Sequence, residues 1–366
     1  MGVSRPQHVE FQQPSSDQDA EPADGGAAAV TQAALQAWRR TALLASGVAV
    51  AAVVGLVAVL VTGRDQEDLA GPPPSGPEGA GAAEEPAVPT ETPDAPEPVP
   101  AVAEEALTWA PPPLEDPETI EVDAGRASLD LDPDRDYVIE LPPEPLDVPG
   151  GVVLNGGRNV VMIGGEIHIS RPGQTGPDVR GLYLKDQTGV VHVEGVLFSG
   201  PELAEGINLD QRQGAVVQLQ NLRFETVRAG PPEHHADIIQ TWAGPRELRV
   251  DGLSGSTEYQ GFFLLPKEFG DQPEPDAFHL RRVDITGTPD AGYLLWRDER
   301  GWPMTIEDVW VDRAQQDTRR GSVLWRDDQP ENWWDGVEVG APPDGPFVPD
   351  GVAGVDYVSP GYVSGD

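Results

Sequence analysis

One six-position pattern recurs along the second half of this chain. The stretches GVVHVEGVLF (189–198), AVVQLQNLRF (215–224), RELRVDGLSG (246–255), DAFHLRRVDI (276–285) and PMTIEDVWVD (303–312) all read apolar, any, apolar, any, any, apolar. The apolar seats are Val191, Val193, Val196; Val217, Leu219, Leu222; Leu248, Val250, Leu253; Phe278, Leu280, Val283; and Met304, Ile306, Val309, so the pattern returns every 26 to 31 residues. Its first half alternates with period two, which describes a strand buried on one face. Turn-forming pairs then break the alternation in several copies, as in Glu194-Gly195, Gln220-Asn221 and Asp251-Gly252, and such pairs bend the chain into a new strand.

A second strand precedes each copy: GLYLKD (181–186), GINLDQ (206–211), ADIIQT (236–241), GFFLLP (261–266), GYLLWR (292–297) and GSVLWR (321–326). Glycine opens most of them, which suits a tight corner. A unit of two or three short strands with no amphipathic helix cannot bury its own apolar face, but it can when stacked on copies of itself. The expected architecture is all-β: a right-handed parallel β-helix of about seven coils. Its buried ladder would run Val193, Leu219, Val250, Leu280, Ile306. The leucine-rich spacing L-x-x-L-x-L is missing, hexapeptides of a left-handed helix are missing, and a propeller blade needs more strand residues per repeat.

The stretch VVLNGGRNVVMIGGEIHIS (152–170) resembles the first coil of pectate-lyase-like β-helix proteins, and the resemblance extends over roughly 137–325. It implies the fold and not an activity, because that fold carries lyases, hydrolases, adhesins and inert scaffolds. Polygalacturonase-type hydrolases share N-T-D, D-D, G-H-G and R-I-K motifs. Only Asp327-Asp328 matches here, and no calcium-lyase arrangement can be mapped.

Ahead of the repeats the composition changes three times. Residues 1–38 are polar and lack apolar periodicity, as a disordered tail does. Arg39 and Arg40 then introduce TALLASGVAVAAVVGLVAVLVTG (41–63), which holds no charge and no proline. As a helix it would span ~34 Å, enough for a bilayer core. The flanking arginines place the N-terminus in the cytoplasm. Length and position favour an uncleaved anchor over a signal peptide. Residues 64–118 form a Pro/Ala/Glu-rich extracellular linker with no basic residue between Arg64 and Arg126, extended by proline and like charge. Residues 119–366 are the β-helix domain with a C-terminal cap.

The whole chain carries a formal net charge of −38, which repels phosphate backbones and argues against a nucleic-acid partner. With no cysteine, disulfides, thiolate chemistry and cysteine zinc sites are excluded.

Candidate site residues follow from the strand alignment. Setting Ile239 level with Leu184, Leu209, Leu264, Leu295 and Leu324 makes one outward column of Lys185, Asp210, Gln240, Leu265, Trp296 and Trp325. Tyr183, Asn208, Ile238, Phe263, Leu294 and Val323 form the column behind it. Polar groups beside flat aromatics suit sugar hydroxyls and ring faces. The segment EHHADIIQTW (233–242) adds His234 and Trp242 to this ligand surface. It also offers His235 and Asp237 as a general acid–base pair, against the plainer reading of a hydrogen-bonded polar turn. No metal is expected, since adjacent histidines on extended backbone point apart, and no cofactor is expected. The preferred function is a membrane-anchored extracellular module that binds polysaccharide or another envelope polymer without chemistry. The alternatives are a polysaccharide lyase or glycoside hydrolase using the His/Asp pair, and a structural or protein-interaction module.

Overall fold

The computed structural model describes residues 105–171, 180–229, 235–268, 272, 274–297, 301–315, 318–325 and 333–363. The tail 1–38, the apolar run 41–63, the linker as far as 104, and His234 lie outside the described residues. Among the described residues no helix is long and apolar enough to cross a membrane.

The chain is a parallel β-solenoid of about seven turns. Among the described residues it builds a twelve-stranded and an eight-stranded sheet. The template copies lie in the larger sheet, as Val190–Glu194, Val216–Val227, Glu247–Thr257, Ala277–Gly287 and Met304–Arg313. The glycine-led segments lie in the smaller one, which includes Arg180–Lys185, Glu205–Asp210, Asp237–Ala243, Gln260–Leu264, Leu295–Arg297 and Leu324–Trp325. Helix among the described residues is limited to the single turn Arg320–Val323.

Val193, Leu219, Val250, Leu280 and Ile306 pair rung to rung in the expected register. All but the last are buried, Ile306 being half-buried at the end of the stack. The bend residues take left-handed backbone at Gly195 (φ 67°), Asn221 (48°), Gly252 (76°), Arg282 (49°) and Asp308 (53°). In four copies hydrogen bonding continues through the bend, so one long kinked strand stands where two were expected.

The corner glycines serve a different need from the one expected. Gly181, Gly206 and Gly261 do not adopt the left-handed conformation; they point into the core where a Cβ has no room. At Gly206 an added Cβ would meet the Ile238 carbonyl oxygen at 2.3 Å and the Phe224 ring at 2.7 Å. The space is filled by aromatic rings: Phe198 and Phe224 from adjacent coils stack at 4.5 Å with planes 4° apart.

Two terminal segments lie on the outside of the larger sheet. Residues 105–110, which composition had assigned to the linker, cross its strands. The Thr108 backbone N–H and hydroxyl donate to Asp251 Oδ2 at 2.8 and 2.6 Å. Gln220 accepts from the Trp109 N–H and donates to its carbonyl at 3.0 and 2.6 Å. The C-terminal stretch adds the partial rung Val337–Val339 and buries Trp334 in the core. Beyond it the chain doubles back along the solenoid's flank. Phe347 N–H donates to Asp284, Val348 N–H to Ser254, and Gly354 N–H to the Gly195 carbonyl. It meets the N-terminal segment at Leu107, whose N–H donates to Gly361 O at 2.9 Å and whose carbonyl accepts from Val363 N–H at 2.7 Å.

Glu194 anchors this closure. Its buried carboxylate accepts from His192 Nε2 at 2.8 Å, Tyr357 Oη at 2.8 Å and Tyr362 Oη at 2.7 Å. Burial alone would push the carboxyl up, but hydrogen bonds from His192, Ser359, Tyr362 and Tyr357 outweigh it and hold Glu194 below its ordinary value. A carboxylate depressed in the folded state stabilises it above the unfolded pKa, and that contribution fades as pH falls through the folded value. Glu194→Gln is therefore expected to destabilise the protein by about 1–3 kcal/mol at neutral pH, with the gap closing on acidification, as measured by denaturant unfolding at several pH values. Gly206→Ala should cost about 1–3 kcal/mol through overpacking, whereas Gly292→Ala, with no contact nearer than 3.3 Å, should cost less in the same assay.

Candidate functional site: the outer face of the smaller sheet

Parallel pairing brings like positions of successive coils side by side, so each outward column is a strip of side chains about 4.8 Å apart. The column through Gln240 runs Tyr183, Asn208, Gln240, Phe263, Trp296, Trp325. This corrects the sequence alignment: Ile239 sits level with Ile207 and Phe262, and not with Leu209 and Leu264. The slip is two residues, which preserves the face but moves Lys185 and Asp210 one outward position along from Gln240. Lys185 and Asp210 pair with each other, and Asp210 lies opposite Ala243. Ile238, expected outside, is buried in the core.

The slip has a local cause. Thr241 takes the inward seat that Leu209 and Leu264 hold in neighbouring coils, and pairing then skips Trp242 at a bulge. A bulge re-aims the side chain of its extra residue. Trp242 packs edge-on to Tyr183 with ring centroids 5.8 Å apart. The Arg180 guanidinium lies over both rings, at 4.9 and 4.7 Å from their centroids.

Polar groups fill the N-terminal part of the face. Asn208 donates to Gln240 Oε1 at 2.9 Å, Tyr183 donates to Asp210 at 3.3 Å, and Arg212 chelates the Asp210 carboxylate at 2.8 and 3.2 Å. Burial, and then the Asp210 charge, push the Tyr183 hydroxyl far above its ordinary pKa, so it stays a donor. Aromatics fill the C-terminal part. Phe263 and Trp296 are 4.6 Å apart, and Trp296 and Trp325 lie parallel within 3° at 6.2 Å. Phe263 is buried, and both tryptophans are half-buried.

At the strand heads Arg180 pairs with Glu205 and Asp237 with Gln260. Arg180 Nε donates to Glu205 Oε2 at 2.9 Å. Asp237 is wholly buried, and neither carboxyl oxygen has a hydrogen-bond partner. Burial, with the Glu205 charge adding to it, raises its pKa well above the ordinary value. His235 is half-buried, with its ring 5.4 Å from that of Tyr259. Burial lowers its pKa against the opposing pull of Glu205. The hydrogen bond between His235 and Asp237 is a backbone one, Asp237 N–H to His235 O at 3.0 Å; the imidazole does not bond the carboxyl.

Three further groups here are buried and unpartnered: Asn208 Oδ1, Gln260 Oε1 and Trp242 Nε1. Unpaired buried polar atoms are scarce in folded proteins, and each one marks strain, water or a ligand. The alignment passed over Arg180, Glu205 and Gln260, although a signal was present: each directly precedes a corner glycine, in Arg180-Gly181, Glu205-Gly206 and Gln260-Gly261. Among the described residues no three His, Asp or Glu side chains come together as metal ligands.

An acid whose pKa is raised on folding keeps its proton while the unfolded chain loses one. Stability therefore falls as pH climbs from the unfolded pKa towards the folded one. Asp237→Asn removes that loss in a near-isosteric side chain. Its melting temperature should match the parent below about pH 4 and exceed it by a margin that grows towards pH 7, as read by calorimetry across that range.

No protein-family model, no curated protein and no solved structure matches this chain.

Proposed function

We propose that this solenoid is a glycan-binding module that uses the outer face of its smaller sheet. The observation that carries this reading is the Tyr183–Trp325 column. The Tyr183 phenol and the Asn208 and Gln240 amides lead through Phe263 to two half-exposed tryptophans suited to sugar ring faces. A polymer laid along the solenoid axis would meet the half-exposed Tyr183 ring at one end of the column and the two tryptophans at the other. Binding without chemistry is favoured because the groups that would exchange protons, the His235 imidazole and the Asp237 carboxyl, share no hydrogen bond.

The same proposal takes the fold as a right-handed, pectate-lyase-like β-helix on a bacterial surface. Residues 41–63 hold it to the lipid bilayer, and residues 64–104 carry it into the extracellular space. The length and apolarity of the first segment and the proline and acidic content of the second support this.

The test is retention of the full chain on a panel of immobilised polysaccharides. At least one should retain it, and Trp296→Ala and Trp325→Ala should each weaken affinity about tenfold, a change of about 1.4 kcal/mol. Retention on none, or variants that bind as the parent does, would overturn the reading.

A further inference from the structure

Residues 105–110 contact the larger sheet as a bound peptide would. They run along the solenoid axis over one outward column, in which Gln220, Asp251 and Arg281 stand on successive rungs. Gln220 grips the Trp109 N–H and carbonyl, and Asp251 grips the Thr108 N–H and hydroxyl. The Glu105 carboxylate lies 3.3 Å from Arg281 Nη2 and 3.0 Å from Arg282 Nη1. The Arg249 guanidinium lies over the Trp109 ring, 5.8 Å from its centroid, and the His279 ring is 6.1 Å away. Side chains that capture backbone hold an extended segment in place, and the seats for Glu105, Thr108 and Trp109 give it a sequence. Arg282 shows that the groove is built for its occupant. It occupies a left-handed bend position where two neighbouring copies have glycine and asparagine, and it carries its charge to Glu105 and Asp251.

The segment is also separable from the solenoid. Leu107 is wholly buried, yet it lies outside the continuous core formed by the coils. Among the described residues its strand-like pairing is one parallel bridge, Leu107 to Tyr362. Pro111, Pro112 and Pro113 follow it; they have no N–H to donate, and a proline run stays extended wherever its ends are held. Hydrogen bonding to the coils resumes at Glu115, whose N–H donates to Asp136 at 2.6 Å.

We infer that the outer face of the larger sheet is a peptide-recognition groove, and that its partner is residues 105–110 of a second copy of this chain, exchanged for the chain's own. A second copy offers the same Glu, Leu, Thr and Trp to the same seats, so exchange neither gains nor loses a contact. The chain's own segment wins in dilute solution because its tether gives it a high effective concentration. Exchange takes over where copies are crowded or where the resident segment is weakened, and reciprocal exchange joins two copies through identical surfaces. The Tyr183–Trp325 column lies in the other sheet, so this inference is independent of the glycan-binding reading.

The experiment uses two full-chain variants. Leu107→Ala with Trp109→Ala weakens the segment and leaves the groove intact; Gln220→Ala with Arg281→Ala weakens the groove and leaves the segment intact. In analytical ultracentrifugation each variant alone should be a monomer, and their mixture should form a 1:1 dimer. A fluorescent peptide of residues 103–112 should bind the segment variant at least about tenfold more tightly than the parent, whose groove is already filled, and should dissociate the mixed dimer. A mixture that stays monomeric, a variant that dimerises by itself, or a dimer that the peptide leaves intact would each overturn the inference. So would a peptide that binds the segment variant no better than the parent, a measurement that does not depend on the groove variant folding. A segment variant that loses cooperative unfolding would make residues 105–110 part of the fold, and would overturn it as well.

Discussion

No coil of this molecule can bury its own apolar face, and that one constraint organises the rest. Each rung is a handful of residues with two exposed edges, and it becomes stable only when its hydrogen bonds and its inward side chains are met by the rungs on either side. Columns such as Val193, Leu219, Val250, Leu280 follow directly. So do the glycines at the corners. Once Phe198 and Phe224 stack in the interior, the residues facing them at Gly181 and Gly206 can have no side chain. Inward positions are thereby fixed by packing, and variation is confined to the outward ones.

The inward columns of the larger sheet were legible because period-two alternation and a constant offset to the bend are properties of local sequence. The smaller sheet was legible in its faces but not in its pairing. Thr241 in a leucine's seat and the bulge at Trp242 shift the apparent match by two residues. Period two cannot detect such a slip, since every side chain keeps its face. The burial of outward polar residues was not legible either. Asp237, Asn208 and Gln240 look like an exposed polar edge in sequence, yet all three are buried. Nor does composition reveal that Thr108 and Trp109, in a proline-rich stretch, are held by Asp251 and Gln220, residues more than a hundred positions away.

The two halves of the candidate site obey different physics. The tryptophan end is an apolar surface that remains partly wet. The Asp237 end holds polar groups withdrawn from water without a hydrogen-bond partner, which is costly for the free protein. The Arg180–Glu205 pair shows that this face can neutralise a carboxylate internally when it needs to.

The meeting of the chain's two described ends at Leu107 and Val363 has an orientational corollary. Both described termini lie against the larger sheet, over rungs in the middle of the stack. The described contacts of both terminal segments thus fall on the larger sheet, and the Tyr183–Trp325 column belongs to the other one.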